Sequence, residues 1–362
     1  MAKIRHYQIN DIPKENVVGL SLELKTKATA SFSNSEVYVS TISGSDENSG
    51  TEYAPKKTIQ AAVDSLPVII NHPIEIILDK GIYTETVFFT RHMLGAKGFV
   101  ILKPLDGATV VLSGDKNLEH CIVVDFAQGV CIKDITIQGF RKEAVKVINS
   151  AKLDMNRCVL RDNYIGLSIS NQASTYQLNS CIFLNNTIGL KVFNTSNAEL
   201  LDSSFESNKV AVSVDSLSNV LLKGARVSSN DLAFESYGKS ILELQSSVVT
   251  ENESVAKVDL STISSRNYEK STLVSNNMSG FLGVKTSTID LLNVDLVNNR
   301  QEDVKTDSGS VAILDNCTVR KSSSSYSLSA KRGTQIHLVG STRDKSFNTK
   351  FNDPEHELFI FG

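Results

Sequence analysis

Apolar positions in this chain repeat on two scales. Between residues 130 and 322 short runs alternate apolar and polar, and the whole arrangement returns about every 22 residues. Asparagine marks the period. Asn163, Asn186, Asn208, Asn230, Asn252, Asn277 and Asn299 follow one another at intervals of 23, 22, 22, 22, 25 and 22. Eight residues before the marker stand Ile132, Met155, Leu178, Leu200, Leu222, Leu244 and Leu291; Phe183, Phe205 and Val227 stand three before it. After it come Ile165-Leu167-Ile169, Ile188-Leu190-Val192 and Val210-Val212-Val214, each alternating with period two. Such alternation predicts short strands with one buried face.

A fixed period of this size predicts a solenoid. No unit carries a 3.6-residue stripe long enough for a helix, whereas each offers three short strands. The expected fold is therefore all-β, a parallel β-helix in which successive turns pair in register about 4.8 Å apart. The crossover preference of parallel strands makes it right-handed. Identical positions then stack as columns. The asparagines are expected at a sharp bend, where Asn tolerates the left-handed conformation and can bond to its stacked neighbour.

The pattern divides the chain into four segments, one of them the repeat. Residues 1–35 form a leader with one short amphipathic helix after Asp11-Ile12-Pro13, carrying Val17, Leu20 and Leu24 on one face. Such a helix is marginal alone and needs a partner. Residues 36–129 hold an opening strand near Val37–Ser40, a helix after Pro55 with Ile59, Ala62, Val63 and Leu66 on one face, and strands at Ile74–Leu78, Phe99–Leu102, Thr109–Leu112 and Cys121–Val124. The regular solenoid covers 130–322, with an insertion near Ser264–Lys270. Residues 323–362 close it, with last strands at Ile336–Val339 and Leu358–Phe361.

Composition narrows the chemistry. The net charge is −3, from 37 basic and 40 acidic residues without like-charge blocks, which argues against nucleic acid as a partner. No run of 18 apolar residues predicts a membrane span, and Met1-Ala-Lys-Ile-Arg shows no apolar signal region. The five cysteines are odd in number; Cys158 and Cys181 fall in one column on adjacent turns, where small buried thiols are the preferred reading over a disulfide. The six histidines show no ligand spacing, so no metal or other cofactor is expected. Asp231 and Glu253 stack like charges beside the asparagines, an arrangement that solvent usually screens.

Two outward columns carry the candidate chemistry. The pairs Lys191/Phe193, Ser213/Asp215, Glu235/Tyr237 and Lys257/Asp259 share a face. Glu235 lies diagonal to Asp215 and Asp259, at about 8 Å from strand spacing and rise. That separation suits an inverting glycosidase, so Asp215, Glu235 and Asp259 are the candidate catalytic carboxylates. Lys191, Phe193, Tyr237 and Lys257 are the candidate substrate-binding residues, the rings stacking on a sugar. The competing reading is a solvated face with cross-strand ion pairs, for example Lys257 with Glu235. A third column, Gly166, Gly189, Ala211, Ala233 and Val255, is read as outward and nearly bare, either a contact between chains or a crowded turn. The chain has no Trp, and aromatics total 7%, which weighs against a strong sugar-binding groove.

Two stretches carry a resemblance. Ile9-Asn10-Asp11-Ile12, Val18-Gly19-Leu20 and Leu24-Lys25 resemble a segment common in bacteriophage tail fibres and tailspikes, where it joins a virion-attachment end to the shaft. Val37-Tyr38-Val39-Ser40, the loop around Gly44-Ser45-Asp46, and the helix after Pro55 resemble the opening of the pectate-lyase-like superfamily, where such a helix caps the solenoid. The resemblance implies a virion tail protein made in the host cytoplasm, trimeric, attached to a tail or baseplate protein through residues 1–35 and directed at host surface polysaccharide. It also leaves open a polysaccharide hydrolase or lyase, and a cellular β-helix adhesion protein. Asp46 is expected to be a plain turn residue.

Overall fold

The computed structural model describes residues 33–90, 93–94, 98–115, 118–266, 271–320, 327–343, 349–351 and 357–361. The chain is a right-handed parallel β-helix of about 11 turns of about 23 residues. One turn shows how the sequence builds it. Asn197–Leu201 belongs to the first sheet, Ser204–Glu206 to the second and Val210–Val214 to the third. Each strand pairs in parallel with its equivalents one turn before and after. The three sheets hold 14, 12 and 12 strands. The inward columns are the apolar ones: Leu200, Phe205, Val212 and Val214 are all inaccessible to solvent. Phe183 and Phe205 stack face to face on adjacent turns, with ring centroids 4.6 Å apart.

Corners between sheets require positive φ, and non-glycine residues supply most of them. In this turn Asp202 (φ 50°), Ser207 (φ 56°) and the pair Ser216 and Leu217 (φ 55° and 62°) are left-handed. The conformation costs about 1–2 kcal/mol per L-residue. Stacking offsets that cost, since corner amides bond to the next turn: Asp202 N–H to the Lys223 carbonyl at 2.9 Å, Leu217 N–H to that of Gly238 at 3.0 Å.

The asparagines form a buried ladder. The backbone N–H of Asn186 and its Nδ2 both donate to Oδ1 of Asn208, at 2.9 and 3.1 Å. Asn208 does the same to Asn230, and the pattern runs from Asn163 to Asn299. The second Nδ2 hydrogen reaches a core carbonyl, for Asn208 that of Phe183 at 2.9 Å. Bonding to the stacked neighbour is thus as expected, but the asparagines are not the left-handed residues. The residue before each takes that role: Asp162, Asn185, Ser207, Ser229, Glu251, Asn276 and Asn298. A side chain turned inward to build the ladder follows a corner made one residue earlier.

The column Gly166, Gly189, Ala211, Ala233 and Val255 also departs from expectation. It faces inward: Ala211, Ala233 and Val255 are buried. A Cβ on Gly189 would stand 3.0 Å from the Phe205 ring and 2.7 Å from the Ala211 carbonyl oxygen. These residues are small because the corner is crowded, so the column offers no contact between chains.

The opening segment caps the solenoid. Ser35–Val39 pairs in parallel with Ile74–Leu78. The helix Ile59–Asp64 buries Ile59, Ala62 and Val63 in the core. Thr58 caps it by accepting the Ala61 N–H at 3.1 Å. Asp46 is more than a turn residue: its Oδ1 accepts the N–H groups of Lys57 and Thr58 at 3.0 and 2.9 Å. Glu85, from the first full turn, accepts the Ile59 and Gln60 N–H groups at 2.9 Å each. A carboxylate on these otherwise unpaired donors pins helix to solenoid. At the other end Gln335–Val339 pairs with Glu357–Phe361, the expected last strands. Cys158 and Cys181 are free and buried, and the hydrogen bond with Cys181, then burial, holds the Cys158 thiol well above the usual range. The leader helix and the core of the insertion near Ser264–Lys270 lie outside the described residues.

Candidate functional site on the third sheet

The outer face of the third sheet carries the candidate residues. Register sets Lys191, Ser213, Glu235, Lys257, Leu282 and Lys305 in one outward column. Tyr237 and Asp259 pair in the neighbouring column, and Phe193 and Asp215 lie on the turns before them. Alternation along each strand puts both columns on the same face.

Of the three carboxylates, the structure brings Glu235 onto the Tyr237 phenol and sets Asp259 one turn beyond it in register. Tyr237 OH donates to Glu235 Oε2 at 3.2 Å. The Tyr237 hydroxyl is pushed up to about 12, first by burial, then by the charge of Glu235 and its hydrogen bond, then by Asp259 and Asp215. Asp215 and Asp259 sit two turns apart with Tyr237 between them, a spacing of about 9–10 Å.

Each carboxylate also has a partner of its own. Asp215 lies just past its strand, and its Oδ1 accepts the Ser216 N–H at 2.6 Å. That oxygen lies 2.8 Å from where a Cβ on Gly238 would stand, so a side chain there would displace the Asp215 carboxylate. Asp259 Oδ2 pairs with Lys285 Nζ at 2.7 Å. Lys191 Nζ lies over the Phe193 ring, 5.2 Å from its centroid. The expected ion pair between Lys257 and Glu235 is not formed among the described residues, although the two stand side by side in register. Asp231 and Glu253 are exposed at the corner.

One feature of this face escaped the sequence pattern. Four residues after the asparagine stand Leu167, Leu190, Val212, Phe234, Ala256 and Phe281, all buried apolar residues. After Asn299 that position is Asp303, and Val304 instead pairs with Phe281. One residue is inserted there. The break in an otherwise apolar column is the signal that could have located it.

Comparison with known proteins bears on the fold. A family model described as the right handed beta helix region matches residues 120–263. No curated protein matches the sequence. Among solved structures the chain is similar to the A-modules of two mannuronan C-5 epimerases of Azotobacter vinelandii. They are 10% and 12% identical, with TM-scores of 0.58 and 0.57, and in each case 80% of this chain aligns with 91% of the other. It is also similar to tailspike protein 3 of bacteriophage CBA120, at 13% identity and a TM-score of 0.49, over 81% of this chain and 54% of that one. At such identities the likeness is one of architecture: this chain shares its solenoid fold with the two epimerase modules.

Proposed function

We propose that this protein is a spike or fibre component of a bacteriophage tail that lays its solenoid against host surface glycans. The observation that supports this reading most is the arrangement of the described chain. Fourteen strands of the first sheet run without a break, a rod of about 60 Å at 4.8 Å per turn. Its first strand and capping helix close the end nearest residue 33. The leader, with its resemblance to tail-fibre attachment segments, would hold the particle, and the rod would project from it. In this reading three chains associate. Ile82 and Ile182 are exposed on the outer face of the second sheet, with Val111 and Val159 in the same column, and these apolar side chains would supply contacts that the small-residue column cannot. The test is binding of fluorescent full-length protein to intact host cells and to cells enzymatically stripped of surface polysaccharide. Binding should fall to background on stripped cells; equal binding to both would refute glycan contact.

A second reading is hydrolysis of the bound glycan. It is favoured by strand register, which sets Glu235 and Asp259 on one face of adjacent turns, about 8 Å apart on the diagonal, a spacing compatible with an inverting pair. Glu235→Gln should then abolish reducing-sugar release from host polysaccharide and leave the melting temperature unchanged. Absence of release by the wild type, or equal release by the variant, ends this reading.

A further inference from the structure

Beside the acidic face lies a groove that neither column predicted. It encloses about 340 Å³ along the corner between the second and third sheets. Leu232, Ser254 and Ser279 follow one another in register along it. Lys257, Leu282 and Lys305 form the parallel row. The inserted turn supplies Gln301 and Glu302 at its end.

The inserted turn is firmly anchored. Gly280 N–H donates to the Glu302 carbonyl at 2.8 Å, and Phe281 N–H to that of Asp303 at 2.9 Å. A Cβ on Gly280 would lie 1.9 Å from the Asp303 carbonyl oxygen, so only glycine admits so close an approach. The Asp303 side chain is fully buried, and its Oδ1 accepts Asn299 Nδ2 at 2.7 Å, ending the asparagine ladder. The extra residue therefore replaces a ladder rung with a fixed wall across the groove.

We propose that this groove binds an anionic saccharide unit, carboxylated or sulfated. The inference rests on the glycan-contact reading and deepens it by naming the ligand's charge. The lining combines the two things such a unit needs: apolar side chains for the ring face, Leu232 and Leu282, and hydroxyl and amide groups for its oxygens, Ser254, Ser279 and Gln301. The charge balance sets the sign. Lys257 is exposed and makes no ion pair among the described residues. Lys305 meets Glu302 only at 3.9 Å. Two ammonium groups thus face one carboxylate in the lining. They flank Leu282 about 9–10 Å apart, as alternate rungs of one column. An anionic group between them would gain charge-assisted hydrogen bonds at little reorganisation cost. Glu235 stands beside Lys257 in the column and would repel an anion extending past it, which confines the charged unit to the Leu282 side.

The test is calorimetric titration of the full-length protein with tetragalacturonate, its methyl ester, and a sulfated carrageenan tetrasaccharide. Binding of either acidic probe, weakened by salt and absent with the ester, is expected. The double variant Lys257→Ala/Lys305→Ala should lose at least about tenfold in affinity, with an unchanged circular dichroism melt. Equal binding of the ester, an unaffected double variant, or no binding of both acidic probes would overturn the inference. The carboxylated and sulfated arms separate the two sources of charge. Cell binding is read in parallel: a double variant that still binds cells like the wild type removes this groove but leaves the glycan-contact reading standing. Acidic-probe binding by a protein that ignores host cells does the reverse.

Discussion

Replacing Asn208 by Val isolates the contribution of the ladder. The side chain is buried and takes part in five hydrogen bonds. Its Oδ1 accepts two from Asn186, and its Nδ2 donates to Phe183, Glu206 and Asn230. Valine fills most of the space but leaves the Asn186 N–H and the Phe183 carbonyl without those partners, in a dry interior. Each buried polar group left unsatisfied costs about 1–3 kcal/mol, so the variant should lose about 3–5 kcal/mol. That is roughly a hundredfold to several-thousandfold in the folding equilibrium. The control is Asn219→Val. Asn219 also donates to a stacked asparagine, Asn197 Oδ1 at 2.9 Å, but on the exposed outer face. There water replaces the lost bond and valine suits a strand, so the change should stay within about 0.5 kcal/mol. Urea denaturation followed by circular dichroism measures both. Solenoid stability is a sum of neighbouring turns, so the loss can emerge as partial unfolding around the weakened turn. Hydrogen exchange at the amides of Asn186 and Asn230 resolves that case. Equal midpoints for the two variants, with unchanged exchange, would refute the ladder as a main source of stability.

Other consequences can be measured separately. Burial raises the Glu85 carboxyl above its usual 4.5 despite the two N–H groups it accepts. Its contribution is therefore fully present below that value and lost as pH rises through the folded one. Wild-type stability relative to Glu85→Gln should fall as pH rises from about 4.5, and a pH-independent difference would contradict the burial of this group. Tyr237 should ionise near 12 in the difference between wild-type and Tyr237→Phe absorbance titrations. Glu235→Gln should lower that value, and a phenol titrating normally would dissolve the cluster. Light scattering of the full-length protein should give three chains, and a monomer at all concentrations would refute the trimer.

What could be read from the sequence was what repeats. The inward columns and the asparagine ladder appear at fixed offsets because in-register stacking puts the same residue in the same environment turn after turn. The capping helix was legible from Ile59, Ala62 and Val63, and the closing strand from its apolar run. The left-handed corner residues were not, because Asp162, Asn185, Ser207 and Glu251 share a conformation without sharing a side chain. Alternation places the column of Gly189 and Ala211 outward, but strict alternation fails at a corner: Ala211 and Val212, adjacent in sequence, are both buried. Among the site residues, the common face of Asp215, Glu235 and Asp259 follows from register alone. Their partners do not, since Ser216, Tyr237 and Lys285 are chosen by side-chain rotamers and corner geometry. The groove at Lys305 depends on one inserted residue, which a period that already varies by a residue or more conceals.

In the proposed reading the leader would attach to the particle and the solenoid would project from it. This reading is tested most directly by comparing the full-length protein with a chain starting at Ser35 in particles grown on a host that supplies either form, and by quantifying both in purified virions by mass spectrometry. The solenoid and its cap carry their own core, so the shortened chain should remain soluble and keep its β-rich circular dichroism. The full-length protein should be found in the particles and the shortened one should be missing. Equal incorporation of the two forms, or absence of the full-length protein from every particle, would contradict the account.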